Sequence, residues 1–162
     1  MKNRLTKKLF YFLTLFTVSF SFAQDEVVEE IEDLPEYVID MDFNKSLYEN
    51  NFGNMYMSDS PKAVLMGMVI PQDYESGKTE LSKAMEPDLK NFKAQEISVN
   101  GLKYYSCTGL MNQEDVEIFV EVMIKKIDDN SCLMVSSMYE VGIKSKYEKE
   151  GKRAIVSAKI VE

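Results

Sequence analysis

Sulfur is the functional group this chain carries in unusual amount. Of eleven methionines in 162 residues, four fall in two Met-x-Met pairs, Met55-Tyr56-Met57 and Met66-Gly67-Met68. Side chains alternate along a strand, so each pair sends both thioethers to one face. If the two segments form a hairpin with an even-numbered connection, Met55, Met57, Met66 and Met68 share that face. Four soft thioethers are a donor set suited to Cu(I). The same residues also serve as adaptable fillers of a core or of an apolar binding surface. Met-x-Met spacing fits both uses.

Other chemistries are excluded by residue type. The chain has no histidine, so no Ser-His-Asp or Cys-His nucleophile pair and no His-ligated metal or haem site can be built. Seven glycines are scattered without the spacing of a phosphate-binding loop. Asp40 to Ser46 begins like a calcium loop, but Lys45 stands where the sharp turn needs Gly and Asn51 where a bidentate Glu belongs. Glu117 and Glu121 alternate with apolar residues, the pattern of a solvated or partly covered strand face and not of a carboxylate pair in a cleft. No catalytic residue and no cofactor is expected.

Residues 1–23 read as a secretory signal peptide. Lys2, Arg4, Lys7 and Lys8 form a positive start, Leu9 to Phe20 is uncharged, and Ser21-Phe22-Ala23 offers small residues for cleavage between Ala23 and Gln24. The mature chain, periplasmic or secreted, then has no transmembrane segment. Cleavage removes four positive charges and no negative ones, leaving 15 basic and 27 acidic residues. Nine of the acids lie between Gln24 and Asp42 with no basic residue among them. Such a chain is a poor partner for a phosphate backbone, which excludes nucleic acid. Residues 24–52 are expected to form an acidic, partly disordered arm, either solvated or docking on a basic partner. Deleting residues 24–42 is expected to leave the melting temperature nearly unchanged. Residues 53–162 form the single domain.

Within that domain, residues 54–58 and 62–70 read as strands joined by a Ser-Asp-Ser-Pro turn. Gly77 to Phe92 reads as a helix capped by Thr79 and interrupted at Pro87. Asn100-Gly101 between Ile97-Ser98-Val99 and Leu102-Lys103-Tyr104 is the strongest hairpin signal. Residues 116–124 and 132–138 alternate as strands around the turn at 128–131. Tyr147, Ala154, Ile155 and Ala158 make one stripe of a closing helix, in which Gly151 is unfavourable by about 1 kcal/mol relative to Ala.

This order resembles the PsbP-like superfamily. The resemblance rests on the helix after Gly77, the Glu96-x-x-Val99-x-Gly101 approach to a Tyr-rich strand, and the Val156-Ser157-Ala158-Lys159-Ile160 ending. It implies an α+β fold in which an antiparallel meander packs with two or three helices, like an αβα sandwich. It also implies an exported, non-enzymatic binding or assembly module with an unidentified protein partner. The alternative is a periplasmic soft-metal protein using Met55, Met57, Met66 and Met68.

Cys107 and Cys132 complete the inventory. Export permits a disulfide. In a plain meander, however, the strand 116–124 separates the two by about 9–10 Å, too far for Cβ atoms that must approach to about 3.5–4.5 Å. Two free, buried thiols are expected, with Ile127 opposite Cys132.

Overall fold

In the computed structural model the chain divides into two units, Met1–Glu36 and Tyr37–Glu162. The described residues are 37–58, 62–113 and 115–161, all in the second unit. The expected signal peptide, the Ala23–Gln24 cleavage site and the acidic stretch up to Glu36 lie outside them.

The described elements are strands β1 (Val38–Asp40), β2 (Asn50–Phe52), β3 (Met55–Met57), β4 (Ala63–Ile70), β5 (Lys90–Val99), β6 (Leu102–Gln113), β7 (Val116–Lys126), β8 (Cys132–Glu140) and β9 (Lys159–Val161), with helices α1 (Tyr74–Met85) and α2 (Lys144–Ser157). Seven strands form one antiparallel sheet in the order β2-β3-β4-β8-β7-β6-β5, and β1 pairs with β9 in a separate ribbon. The fold is α+β, as expected, and the β5–β8 meander runs in the expected order.

The turn at Asn100-Gly101 has φ of 52° and 81°. Both angles are positive, the conformation of a type I′ turn, and Val99 pairs with Leu102 across it. The expected helix at 77–92 is present over residues 77–85 but begins earlier, at Tyr74 and not under a Thr79 cap, and stops short of Pro87. It starts at Tyr74 because Asp73 caps it, its carboxylate accepting from the Glu75 and Ser76 amides at 3.0 Å each. It ends at Met85, two residues before Pro87, and the chain then turns so that Phe92 belongs to β5.

The two helices lie on opposite faces of the sheet. Gly77 of α1 faces Ile70, Ile124 and Cys132. Gly151 of α2 faces Ser137, on the other side of β8. The glycine at 151 is a close-approach residue. A Cβ there would overlap the Ser137 side chain, so the helix gives up propensity to sit directly on the strand.

The largest departure from expectation is the segment 37–52. Ile39, Met41, Phe43 and Tyr48 are buried with α2 and β8 in the main core. Phe43 meets Tyr48 and Tyr56 edge-on at ring separations of 5.2 and 4.8 Å, and Tyr48 meets Tyr147 of α2 at 5.5 Å. The backbone is tied down as well. The Ile39 amide donates to Asn54 Oδ1 at 2.9 Å, and the Asn54 side-chain amide donates to the Tyr37 carbonyl at 2.6 Å. The Asp42 amide donates to Ser157 Oγ at 2.8 Å, and the Asn44 amide to Glu150 Oε2 at 2.7 Å. Arg153 pairs with both Asp42 and Glu150. Composition pointed to a solvated arm here, but the apolar residues alternating with the acids at 39, 41 and 43 all turn inward.

Both cysteines are free and buried. Cys107 pairs with Val122, and Cys132 with Lys126. The expected partner Ile127 is displaced because the turn closes with its amide donating to Ser131 O at 3.0 Å. That one-residue shift puts Cys132 on the face of Ile124, not of Met123. Val122 shares the face of Cys107, opposite Tyr104. The two thiols therefore do lie on one face, beneath α1, but are separated by β7 and by four register positions. No bridge can span them.

Two outcomes follow from this packing. Deleting residues 24–42 removes Ile39 and Met41 from the core, so the melting temperature should fall by on the order of 10 °C or more, measured by circular dichroism. An unchanged melting temperature would show the segment is dispensable. Gly151→Ala should destabilise by about 1–3 kcal/mol in denaturant titration, although helix propensity alone favours Ala.

Candidate functional site

The pairing of β3 with β4 puts the four methionines on one face, with Met55 and Met66 as direct partners and Met57 and Met68 at opposite ends of the row. Met57 pairs with Val64, so the intervening stretch 58–63 is even in number, and Met55 stands directly opposite Met66. Met68 is opposite Met134, and Val64 opposite Met138. Period-two alternation then places Met55, Met57, Met66, Met68, Met134 and Met138 on the same face of three adjacent strands. Directly opposed Cβ atoms in such a pair lie about 4.5–5.5 Å apart.

The exposure of this surface is graded. Met134 and Met138 are buried beside the core, whereas Met55, Met57, Met66 and Met68 are half-buried. Phe52 on β2, 63% exposed, continues the same face to the sheet edge, since it pairs with Met55. This face is the one that carries α1. The helix packs over β6 and β7, where Ser82 Oγ lies 2.6 Å from Tyr105 Oη and 3.8 Å from Cys107 Sγ. The other described elements that cover the sheet, α2 and the segment around β1, lie on its opposite side, where Gly67 backs onto Ile39. One polar group interrupts the apolar surface. Ser136 Oγ, opposite Met66, is buried without a hydrogen-bond partner.

Apolar thioethers flanked by an exposed phenyl ring make a deformable, weakly polar contact surface. Among the described residues, no titratable group stands at its centre. Lys78 lies beyond it at the α1–β5 junction, bonded to Glu75 and Glu96 at 2.7 and 2.9 Å, and these bonds raise its pKa and lower that of Glu96.

On the opposite face, of the two readings its alternation left open, solvated or partly covered, Glu121 takes the covered one. It is 7% exposed, between Thr108 of β6 and Ser137 of β8. Burial raises its pKa; the positive charge of Lys152 on α2 opposes the shift and that of Glu148 adds to it. The hydroxyls of Ser137 and Tyr139 nearby are also buried without partners. Lys125, whose pKa burial lowers, donates from Nζ to the Ala158 carbonyl, and Tyr104 Oη donates to the Val156 carbonyl at 3.4 Å. Both satisfy carbonyls at the end of α2, where the helix dipole favours a cation. These groups serve the docking of α2. No cluster of three or more His, Cys, Asp or Glu able to hold a metal occurs among the described residues.

Similarity to known proteins lies in the fold. The chain is similar in structure to LpqN of Mycobacterium tuberculosis, a protein involved in cell envelope biogenesis. The TM-score is 0.53 and the identity 9%, over 86% of this chain and 91% of that one. A structure from Bacteroides thetaiotaomicron VPI-5482 also matches, with a TM-score of 0.53 and 9% identity, over 77% of this chain and 46% of that one. Cyanobacterial PsbP (CyanoP) of Synechocystis sp. PCC 6803 aligns with a TM-score of 0.48 and 8% identity, over 87% of this chain and 99% of that one. No protein-family model and no curated protein matches the sequence. The methionine face belongs to this chain's own residues at positions 55, 57, 66 and 68. Among the described residues, no helix is long and apolar enough to cross a membrane.

The environment of Glu121 has a pH signature. An acid whose folded-state pKa is raised binds its proton more tightly in the native state, so the stability it contributes is full below its unfolded pKa and is lost as pH rises through the folded value. Glu121→Gln should therefore raise the melting temperature by a few degrees near neutral pH and change it little near pH 4. A melting temperature lowered at both pH values would mean that the carboxylate is held by favourable interactions.

Proposed function

We propose that the chain is an exported, non-enzymatic binding or assembly module that docks an apolar segment of a protein partner on the surface formed by Phe52, Met55, Met57, Met66 and Met68. Export is supported by the positive start, the uncharged stretch and the small residues before Gln24. A non-enzymatic role is supported by the lack of histidine. The observation that carries the reading is that four half-buried thioethers and a 63% exposed phenyl ring are collected on one face of β2–β4. Methionine surfaces re-pack around varied apolar partners because the side chain is unbranched and polarisable. The structural likeness to an envelope-biogenesis protein agrees with an assembly role, without naming the partner.

The co-facial thioethers also favour a second reading, the handling of Cu(I). In it, Met55, Met57, Met66 and Met68 are the ligands.

Photo-crosslinking separates a docking face from a bystander. A crosslinker at Phe52 or Met57 in cells should give one discrete heteromeric product, and the same group at Lys146 on α2 should not. Products at Lys146 alone, or at none of the three positions, would remove the docking reading. Competition of the mature chain with a Cu(I) chelator tests the metal reading. Binding tighter than micromolar supports it, and weaker binding rejects it.

A further inference from the structure

The methionines of the described chain divide into two sets by exposure. Met41, Met85, Met111, Met123, Met134 and Met138 are each 8% exposed or less, whereas Met55, Met57, Met66 and Met68 are all half-buried. The second set is contiguous. Met55 and Met66 are cross-strand partners, and Met57 and Met68 flank them two residues away on the same face. An oxidant that reaches one sulfur from solvent reaches its neighbours along the same surface. The competing nucleophiles are withdrawn. Cys107 and Cys132 are buried, and burial pushes both thiols up to about 11, so little thiolate is present to react.

We propose that Met55, Met57, Met66 and Met68 form a reversible oxidation site, converted by peroxide to sulfoxides ahead of every other described methionine, and that this conversion switches the face from apolar to polar. The thioether lone pair attacks one oxygen of hydrogen peroxide. A sulfur–oxygen bond forms and the oxygen–oxygen bond breaks. Sulfur is oxidised by two electrons, and the departing hydroxide takes the proton of the transferred oxygen, leaving the neutral sulfoxide and water. Each sulfoxide places a strong acceptor on a surface whose exposed groups are thioethers and a phenyl ring. Reversal consumes a dithiol through a methionine sulfoxide reductase, returning the thioether, a disulfide and water. The inference rests on the exposure and register of the four residues, so it stands or falls apart from the docking reading.

The test is a time course of the folded mature chain in hydrogen peroxide, quenched, unfolded and mapped by peptide mass spectrometry. Oxygen should accumulate at positions 55, 57, 66 and 68 at least about tenfold faster than at any other methionine, while the circular dichroism spectrum stays native. Fluorescence of an apolar-surface dye should fall with the fourth oxygen and recover after treatment with reductase and dithiothreitol. Equal rates at Met134 or Met138, or oxidation that only accompanies unfolding, would overturn the selectivity. Unchanged dye fluorescence would overturn the switch. The variant M55L/M57L/M66L/M68L conserves side-chain volume and should lack the fast phase altogether. A fast phase that persists in it would place the reactive sulfur elsewhere.

Discussion

Everything in this fold is arranged to bury β8 on both sides. Eight of its nine residues are buried, so one face must be covered by one layer and the reverse face by another. The helix α1 supplies cover on the side of Cys132 and Met134, and α2 with the β1–β9 ribbon supplies it on the side of Leu133, Val135, Ser137 and Tyr139. A strand that is apolar on both faces cannot sit at a sheet edge in water, which is why β4 and β7 flank it and the short or polar strands β2 and β5 end the sheet.

The α2 layer shows how such cover is made to fit. Gly151 lets the helix backbone descend onto Ser137, and Lys125 and Tyr104 reach up from the sheet to the carbonyls at its end. The incoming segment 37–48 fills the space beside it with Ile39, Met41, Phe43 and Tyr48. Glu121 and the unpartnered hydroxyls of Ser137 and Tyr139 are polar groups caught in this layer. Removing such groups from water is unfavourable. They mark places where close packing of α2 outweighs full hydrogen bonding.

On the α1 side the cover is uneven. The helix stands over β6 and β7, and the sheet surface grades from the fully buried Met134 to the half-buried Met55, Met57, Met66 and Met68 and then to exposed Phe52. Methionine suits that gradient because it packs acceptably whether or not a partner is present. Thioether sulfur adapts to apolar contacts, binds soft metals and accepts oxygen, so the proposed docking, metal and oxidation roles all rest on one surface and can be told apart by experiment.

Local chemistry was legible wherever neighbours in sequence decide the conformation. Asn100-Gly101 specified its turn because few other residue pairs accept two positive φ angles, and period-two alternation placed each Met-x-Met pair on one face. The lack of histidine excluded whole classes of catalysis regardless of fold. Tertiary structure decided the rest, because burial is a property of what packs on top. The acidic composition up to Asp42 gave no sign that Ile39 and Met41 would be enclosed by α2 and β9. The strand pattern around Glu121 fits a solvated face and a partly covered one alike, and the helix above it decides between them. The stagger that sets Cys132 against Lys126 was fixed by the hydrogen bond closing a turn. Gly151, unfavourable by helix propensity, has its reason in a strand fourteen residues earlier in the chain, which no local pattern encodes.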